Sequence, residues 1–267
     1  MSLLDKYYTG EHQIFRESVR RYFEKEVTPH ADLWEKEGIV PKDAWKKFGS
    51  QGFLCPWLPE EYGGSGADFL YSFILAEELA RTHCGGFFFP LHSDIIVPYL
   101  FTYGNDEQKQ RWLPGCVTGD CITALAMTEP GTGSDLAAIR TTAVKDGDSY
   151  VINGQKTFIS NGINCDLVIV AARTNLNAAS PYEGMSLIVV EDGTPGFEKG
   201  RKLDKIGLHS QDTSEMSFVD CRVPAKNLLG AEGHGFYFLM EKLQQERLVC
   251  AMGSQVGAEE ALRLTIE

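Results

Sequence analysis

Apolar positions recur at helical spacing near the start of this chain. Phe15, Val19 and Phe23 fall four residues apart inside a charged segment, which makes one apolar helix face. Thr9 is placed to cap that helix and Pro29 to end it. A second short helix starts at Pro41, packs through Ala44, Trp45 and Phe48, and stops at Gly49. The run from Phe69 to Leu79 is a third, richer in apolar residues and therefore more buried. Asn105 to Trp112 is a short helix with a polar face, ended by Pro114 and Gly115.

The period then changes. Cys121 to Met127 is short and rich in apolar and β-branched residues. Asp146-Gly147 and Asn153-Gly154 are turn dipeptides that flank Tyr150-Val151-Ile152. Leu167 to Ala171, Met185 to Val190 and Met216 to Val219 are further strands, with glycine and proline between them. No helical period interrupts them, so a parallel sheet with crossover helices is excluded. After Gly235 the helical period returns and runs through Val256 to Leu264. One helix cannot bury its own apolar face, so this segment reads as the opening of a third, incomplete unit. The expected class is multidomain α+β: an all-helical domain over 1–118, a mainly antiparallel β domain over 119–225, and over 226–267 the first helix or helices of a C-terminal helical bundle.

Composition narrows the function classes. The 267 residues suffice for two domains, and 43% apolar with 23% charged residues is an ordinary soluble balance. No apolar run is long enough to span a bilayer. The start, MSLLDKYYTGEHQ, lacks the pattern of a signal peptide, so a bacterial cytoplasmic or other intracellular location is expected. A net charge of −12 gives no electrostatic reason to bind nucleic acid or an anionic membrane. Seven cysteines, odd in number and without a CxxC pair, read as reduced and mostly buried. The six histidines do not join them at ligand spacing, and no metal is expected.

Two segments carry the candidate chemistry. In Met127-Thr128-Glu129-Pro130-Gly131-Thr132-Gly133-Ser134-Asp135 a strand ends in a loop of small residues, hydroxyls and open backbone N–H groups. Such a loop approaches a flat cofactor or an anionic linker closely, although a plain corner of a β domain uses the same residue types. It is not a dinucleotide fingerprint, because no βαβ unit surrounds it. The second segment is Tyr150 to Gly162, YVINGQKTFISNG.

Together these segments resemble the paired signatures of the acyl-CoA dehydrogenases. The resemblance extends to Pro59-Glu60-Glu61-Tyr62-Gly63-Gly64, to Asp220-Cys221-Arg222-Val223-Pro224 and to Asn227-Leu228-Leu229-Gly230, in family order along the whole chain. It implies an FAD enzyme that places an α,β double bond in an acyl-CoA thioester during fatty acid β-oxidation. It also implies electron-transferring flavoprotein as acceptor and a homo-oligomer, dimer or tetramer. Carried over residue by residue, Leu125, Met127 and Thr128 line the flavin, and Gly133 and Ser134 lie near FAD and the thioester end of the substrate. Phe158 takes the place of a ring packed on the flavin, often Trp in relatives. Ile159 adjoins it, and Ser160 keeps the hydroxyl of the usual Thr.

The reaction needs a base for the α-proton. In the long-chain and isovaleryl-type branches that base comes from the first long helix of the last domain. Glu246, within Leu243-Gln244-Gln245-Glu246-Arg247-Leu248-Val249, falls on this position. Independently, Phe236, Leu239, Leu243 and Cys250 share one stripe at about 100° per residue, with Glu246 inside it. A carboxylate on an apolar face is either such a base or a boundary residue paired with a cation. Tyr237, Gln244 and Arg247 match substrate contacts of the family. His209, without a nucleophile motif, reads as a structural residue or a pocket wall. The long-chain type fits best, through Ser210-Gln211-Asp212-Thr213, Gly235-Phe236-Tyr237 and Gln245-Glu246-Arg247. A related flavin monooxygenase or oxidase on the same scaffold, or a non-catalytic binding subunit or fragment, stands as the alternative.

Overall fold

The computed structural model describes residues 5–267, so the first four positions of the supposed signal-free start lie outside the described residues. Six helices come first: α1 (Gly10–Glu26), α2 (Ala31–Glu37), α3 (Lys42–Ser50), α4 (Phe69–Arg81), α5 (Val97–Tyr103) and α6 (Asp106–Thr118). Thr9 caps α1 as expected. Its hydroxyl accepts the His12 N–H, and the His12 ring accepts the Thr9 N–H in return, closing a capping box. α1 lies along α4, where the buried Glu78 carboxylate accepts two N–H bonds from Arg20, each 2.8 Å. Phe23 stacks on Phe48 of α3 in an aromatic core that includes Trp34, Trp45, Phe87 and Phe89.

α6 corrects the sequence reading, because it passes through Pro114 and Gly115 and ends at Gly119. Proline removes the bond that residue 114 would donate to the Gln110 carbonyl. Trp112, Leu113, Cys116 and Val117 are all buried, and their packing outweighs that missing bond. Gly115 is small for a different reason: a side chain there would meet the Cys121 Cβ at 3.0 Å. The actual stop is Gly119, in the left-handed region at φ 76°.

Eight strands follow: β1 (Thr123–Ala126), β2 (Thr142–Asp146), β3 (Ser149–Ser160), β4 (Leu167–Arg173), β5 (Met185–Glu191), β6 (Phe197–Lys202), β7 (Thr213–Pro224) and β8 (Leu228–Leu229). Their order is β6-β7-β3-β2-β4-β5-β8, with β1 added beside β4. The sheet is mixed. β1 and β2 run parallel to β4, while the remaining pairings are antiparallel, so the expectation of a mainly antiparallel domain holds. Asp146-Gly147 turns the β2–β3 hairpin as expected, but Asn153-Gly154 does not turn the chain. It lies inside β3, where the register against β7 shifts between Ile152 and Gly154. A side chain at Gly154 would come within 2.4 Å of the Thr141 hydroxyl.

β4 and β5 are buried on both faces. Leu167, Ile169 and Ala171 face the helices, and Val168, Val170 and Ala172 face the interior of the curled sheet. This double burial explains why both strands read as unbroken apolar runs. The last element is α7 (Gly235–Ile266), about 48 Å long. It packs against α4, α5, β5 and a π-helical turn at Leu91–Ile96. Among the described residues, no helix is long and apolar enough to cross a membrane. All seven cysteines are free, and five are buried.

Candidate functional site

The two sequence segments meet through a buried ammonium. Lys156 on β3 is 1% exposed. It donates to the Met127 carbonyl and to the Glu129 carboxylate, each at 2.9 Å. The Thr157 N–H donates to the Thr128 carbonyl at 3.0 Å, so the loop after β1 is sewn onto β3. Burial would raise the Glu129 carboxyl pKa. The Lys156 charge and the N–H groups of Thr141 and Arg140 outweigh that and hold it below the usual range. Burial pushes the Lys156 ammonium down to about 8, against the pull of Glu129. The sequence reading passed over both residues. The only signal was parity: Lys156 falls on the same alternation as the apolar Tyr150 and Ile152, although its immediate neighbours Gln155 and Thr157 are polar, and a lysine on an inward face needs a partner once buried.

Beyond this anchor the register of β3 shifts again, between Lys156 and Ile159. Phe158 adopts the left-handed region at φ 58° and stands 68% exposed. A bulky residue in that conformation is strained, and the bulge spends the strain on turning a ring outward. Ile159 points the other way, into the sheet interior, so only its backbone is open to a ligand. Ser160 is half-buried, as are Leu125, Met127 and Thr128, while Gly133 and Ser134 are exposed. The hydroxyls of Thr128, Ser134 and Ser160 make no hydrogen bond among the described residues. A Cβ at Gly133 would meet nothing within 4 Å, so the loop is open to solvent there. An exposed ring beside free hydroxyls and open backbone suits a flat, hydrogen-bonding aromatic ligand.

Leu125 and Met127 also pack against a second set of side chains. Their cluster includes Tyr99 of α5 and Leu239, Val249 and Met252 of α7. Glu246 lies on α7 between Leu239 and Val249, seven residues after the first and three before the second, so it shares their face. The carboxylate is half-buried. Its Oε1 accepts the Tyr99 O–H at 2.5 Å. Burial raises its pKa above the ordinary value, while the Tyr99 hydrogen bond and the Arg247 charge act in the opposite direction. No salt bridge to it is found among the described residues, and the nearest cation acting on it is the exposed Arg247 next in sequence. One detail of the stripe is corrected: Cys250 is exposed. The buried face runs instead through Leu239, Val249, Met252 and Val256, because it drifts around the axis over several turns.

The other residues on α7 are not gathered at the same point. Gln244 is exposed and lines a separate cavity of ≈ 630 Å³ with Trp57, Phe69, Phe101 and Leu248. Tyr237 is exposed and lines one of ≈ 760 Å³ with Glu183, Glu232 and His234. Arg247 is exposed beside Glu246. At His209 the backbone N–H donates to Glu35, in keeping with a structural role. A further cavity of ≈ 600 Å³ opens between α4 and α7, lined by Ala76, Leu79, Phe88, Val249, Met252 and Val256 among others.

Comparison with known proteins gives concordant matches. Residues 9–120 match the family model "Acyl-CoA dehydrogenase, N-terminal domain", and residues 124–221 match "Acyl-CoA dehydrogenase, middle domain". The chain is 52% identical over 244 residues to the long-chain specific acyl-CoA dehydrogenase of Sus scrofa, covering 91% of this chain and 57% of that protein. It thus spans somewhat over half the length of such curated relatives. A crystal structure of acyl-CoA dehydrogenase from Geobacillus kaustophilus is 58% identical with a TM-score of 0.95, covering 97% of this chain and 68% of that one. A glutaryl-CoA dehydrogenase from Mycobacterium smegmatis, in complex with FADH2, is 29% identical with a TM-score of 0.88, covering 98% and 66%.

Proposed function

The chain belongs to the acyl-CoA dehydrogenase family, and from that premise we propose that it supplies the FAD site and the catalytic base of an enzyme that converts a medium- to long-chain acyl-CoA to its trans-2-enoyl-CoA in fatty acid β-oxidation. The observation that carries this reading is Glu246, a half-buried carboxylate with no salt bridge among the described residues, on the α7 face that meets the cluster of Leu125 and Met127. In this reading 1–118, 119–225 and 226–267 are the helical domain, the β domain and the start of the C-terminal helical domain. Electron-transferring flavoprotein is the acceptor, and the protein assembles as a dimer or tetramer.

Each group then has a task. Phe158 offers its outward ring to the flavin, with Leu125, Met127, Thr128, Gly133, Ser134, Ser160 and the backbone of Ile159 around it. Ser134 lies toward the thioester, and Arg247, next to Glu246, contacts the acyl-CoA; Tyr237 and Gln244, which line separate cavities, are assigned to parts of the acyl-CoA remote from the reacting carbons. Glu246 takes the α-proton on a carboxylate oxygen. Its partial desolvation raises its basicity toward a weak carbon acid. FAD, when bound, supplies the sink for the hydride that leaves the β-carbon. The test is anaerobic mixing of the flavin-loaded, full-length protein with saturated acyl-CoA thioesters. Bleaching of the flavin absorbance is expected; an unchanged spectrum at every chain length would refute the proposal.

Two expectations refine it. Phe158 is exposed, so Phe158→Ala should change unfolding free energy by no more than about 0.5 kcal/mol. FAD affinity should fall about tenfold, the equivalent of one aromatic stacking contact. Titration of the apoprotein with FAD beside a urea melt separates the two effects. Unchanged affinity would remove Phe158 from the cofactor site.

The apolar cavity between α4 and α7 starts at Val249, one turn beyond Glu246, and supports a long tail. Each buried methylene contributes about 0.8 kcal/mol, so kcat/KM should rise roughly fourfold per added methylene until the cavity fills. A maximum at four carbons, or on a branched five-carbon acid, would exclude the long-chain preference and leave the dehydrogenase reading intact.

A further inference from the structure

We propose that Tyr99 is a positioning residue for Glu246, fixing its carboxylate against α5 and holding it ionised by donating to one oxygen. The inference rests on the reading of Glu246 as the base. Its physical content, a phenol that controls this carboxyl, is separately measurable.

The geometry carries it. α5 and the π-helical turn before it grip α7 at successive residues. Gln245 donates to the Asp94 carbonyl at 2.7 Å, and Tyr99 donates to Glu246 at 2.5 Å. One turn farther along α5, Tyr103 donates to Glu241 at 2.9 Å and stacks on Phe238. The Tyr99 ring is fully buried in the apolar cluster, so its oxygen cannot move away without unpacking the core. A glutamate on a helix surface otherwise samples several rotamers. Here one rotamer is selected by a partner that is itself immobile. Oε1 is occupied by the phenol, and Oε2 has no donor among the described residues, so Oε2 is the oxygen available to accept a proton.

The bond also sets the protonation state. A donor to a carboxylate favours the charged form, whereas burial favours the neutral acid. Burial, and after it the neighbouring carboxylate, hold the Tyr99 phenol well above its ordinary value, so it remains a donor throughout the working range. The groups facing Glu246 from the packed elements are few. Tyr99 on α5 reaches the carboxylate itself, whereas Tyr103, bonded to Glu241, and Asp94, whose carbonyl is bonded to Gln245, meet α7 at neighbouring residues. Asp94 is bonded to Ser72, and burial pushes its carboxyl up to about 7. On α7 itself the neighbours are Glu241, Lys242 and Arg247. The hydrogen-bonded contact of His83 with Glu260 lies farther along the helix. Of these only Tyr99 makes a hydrogen bond to the Glu246 carboxylate.

The experiment compares wild type with Tyr99→Phe and Tyr103→Phe. Phenylalanine keeps each ring and removes only the hydroxyl. Isotope-edited infrared spectra of glutamate-labelled protein, titrated with pH, follow the carboxyl band that Glu246→Gln abolishes; labelling glutamate alone leaves Asp94 out of the signal. In Tyr99→Phe the midpoint of that band should rise by roughly one pH unit, the amount expected from losing one charge-assisted hydrogen bond. The acid limb of flavin reduction should rise with it, so that at a fixed pH below the limb reduction slows about tenfold. Tyr103→Phe should leave both unchanged. A Glu246 midpoint that is the same in Tyr99→Phe and wild type overturns the proposal. A midpoint that rises while Glu246→Gln still reduces its flavin normally supports the hold of Tyr99 on Glu246 and overturns Glu246 as the base.

Discussion

Glu246→Gln is expected to lower the rate of flavin reduction by saturated acyl-CoA about 10²–10⁴-fold, the usual contribution of a positioned general base. The amide has nearly the volume of the carboxylate and still accepts the Tyr99 O–H through its carbonyl oxygen. Fold, FAD content and acyl-CoA binding should therefore persist. What is lost is the acceptor for the α-proton, so the defect should appear in flavin reduction and not in later delivery of electrons. A purely structural Glu246 predicts the reverse: lower stability, with normal reduction by the molecules that remain folded. Stopped-flow mixing followed at the flavin absorbance distinguishes these outcomes. Near-normal reduction would remove Glu246 from the mechanism and direct the search to another carboxylate.

Lys156→Met should destabilise the protein by about 3–5 kcal/mol, the magnitude for breaking a buried ion pair from one side. The substitution roughly preserves volume and apolar character. It leaves the Glu129 carboxylate, 7% exposed, with only the N–H groups of Arg140 and Thr141, and it removes the donor to the Met127 carbonyl. Chemical denaturation measures the loss. In the double variant with Glu129→Gln the buried charge is gone from both sides, and part of the stability should return. Because the pair joins the Met127–Thr128 loop to β3, FAD affinity should fall in Lys156→Met even where the protein stays folded. A loss below 1 kcal/mol would show that the two segments are held by the backbone bond between Thr157 and Thr128 alone.

The division of labour between sequence and tertiary structure follows from the range of each interaction. Helices with one apolar face and a local stop were legible, because capping and periodicity act over a few residues. Thr9, the stripe of Val19 and Phe23, and the apolar run Phe69 to Leu79 belong to this class. So did the strands β4 and β5 and, through the paired motifs, the family itself. Where burial comes from distant elements, local signals misled. Pro114 looked like a stop, yet the core packing of Trp112, Leu113, Cys116 and Val117 carries the helix past it. Asn153-Gly154 looked like a turn, yet pairing with β7 keeps it in a strand. The Leu91–Tyr103 segment was not legible in the sequence, and its π-helical turn buries polar His92, Ser93 and Asp94 beside Ile95 and Ile96, which leaves no single apolar face to recognise.

The candidate site shows the same split. The sequence alone marked Glu246 as a carboxylate on an apolar helix face, and marked the two motifs as a pair. It could not show that Lys156 and Glu129 join those motifs, since that contact spans 27 residues and depends on strand register. Nor could it show that a bulge turns Phe158 outward while Ile159 turns inward. The partner of Glu246 lies 147 residues away on another helix. Local sequence fixes which side chains are available and which helix face each occupies. Which charge is buried, and what it then touches, is decided only when the core closes, because desolvation is a property of the packed molecule and not of any segment.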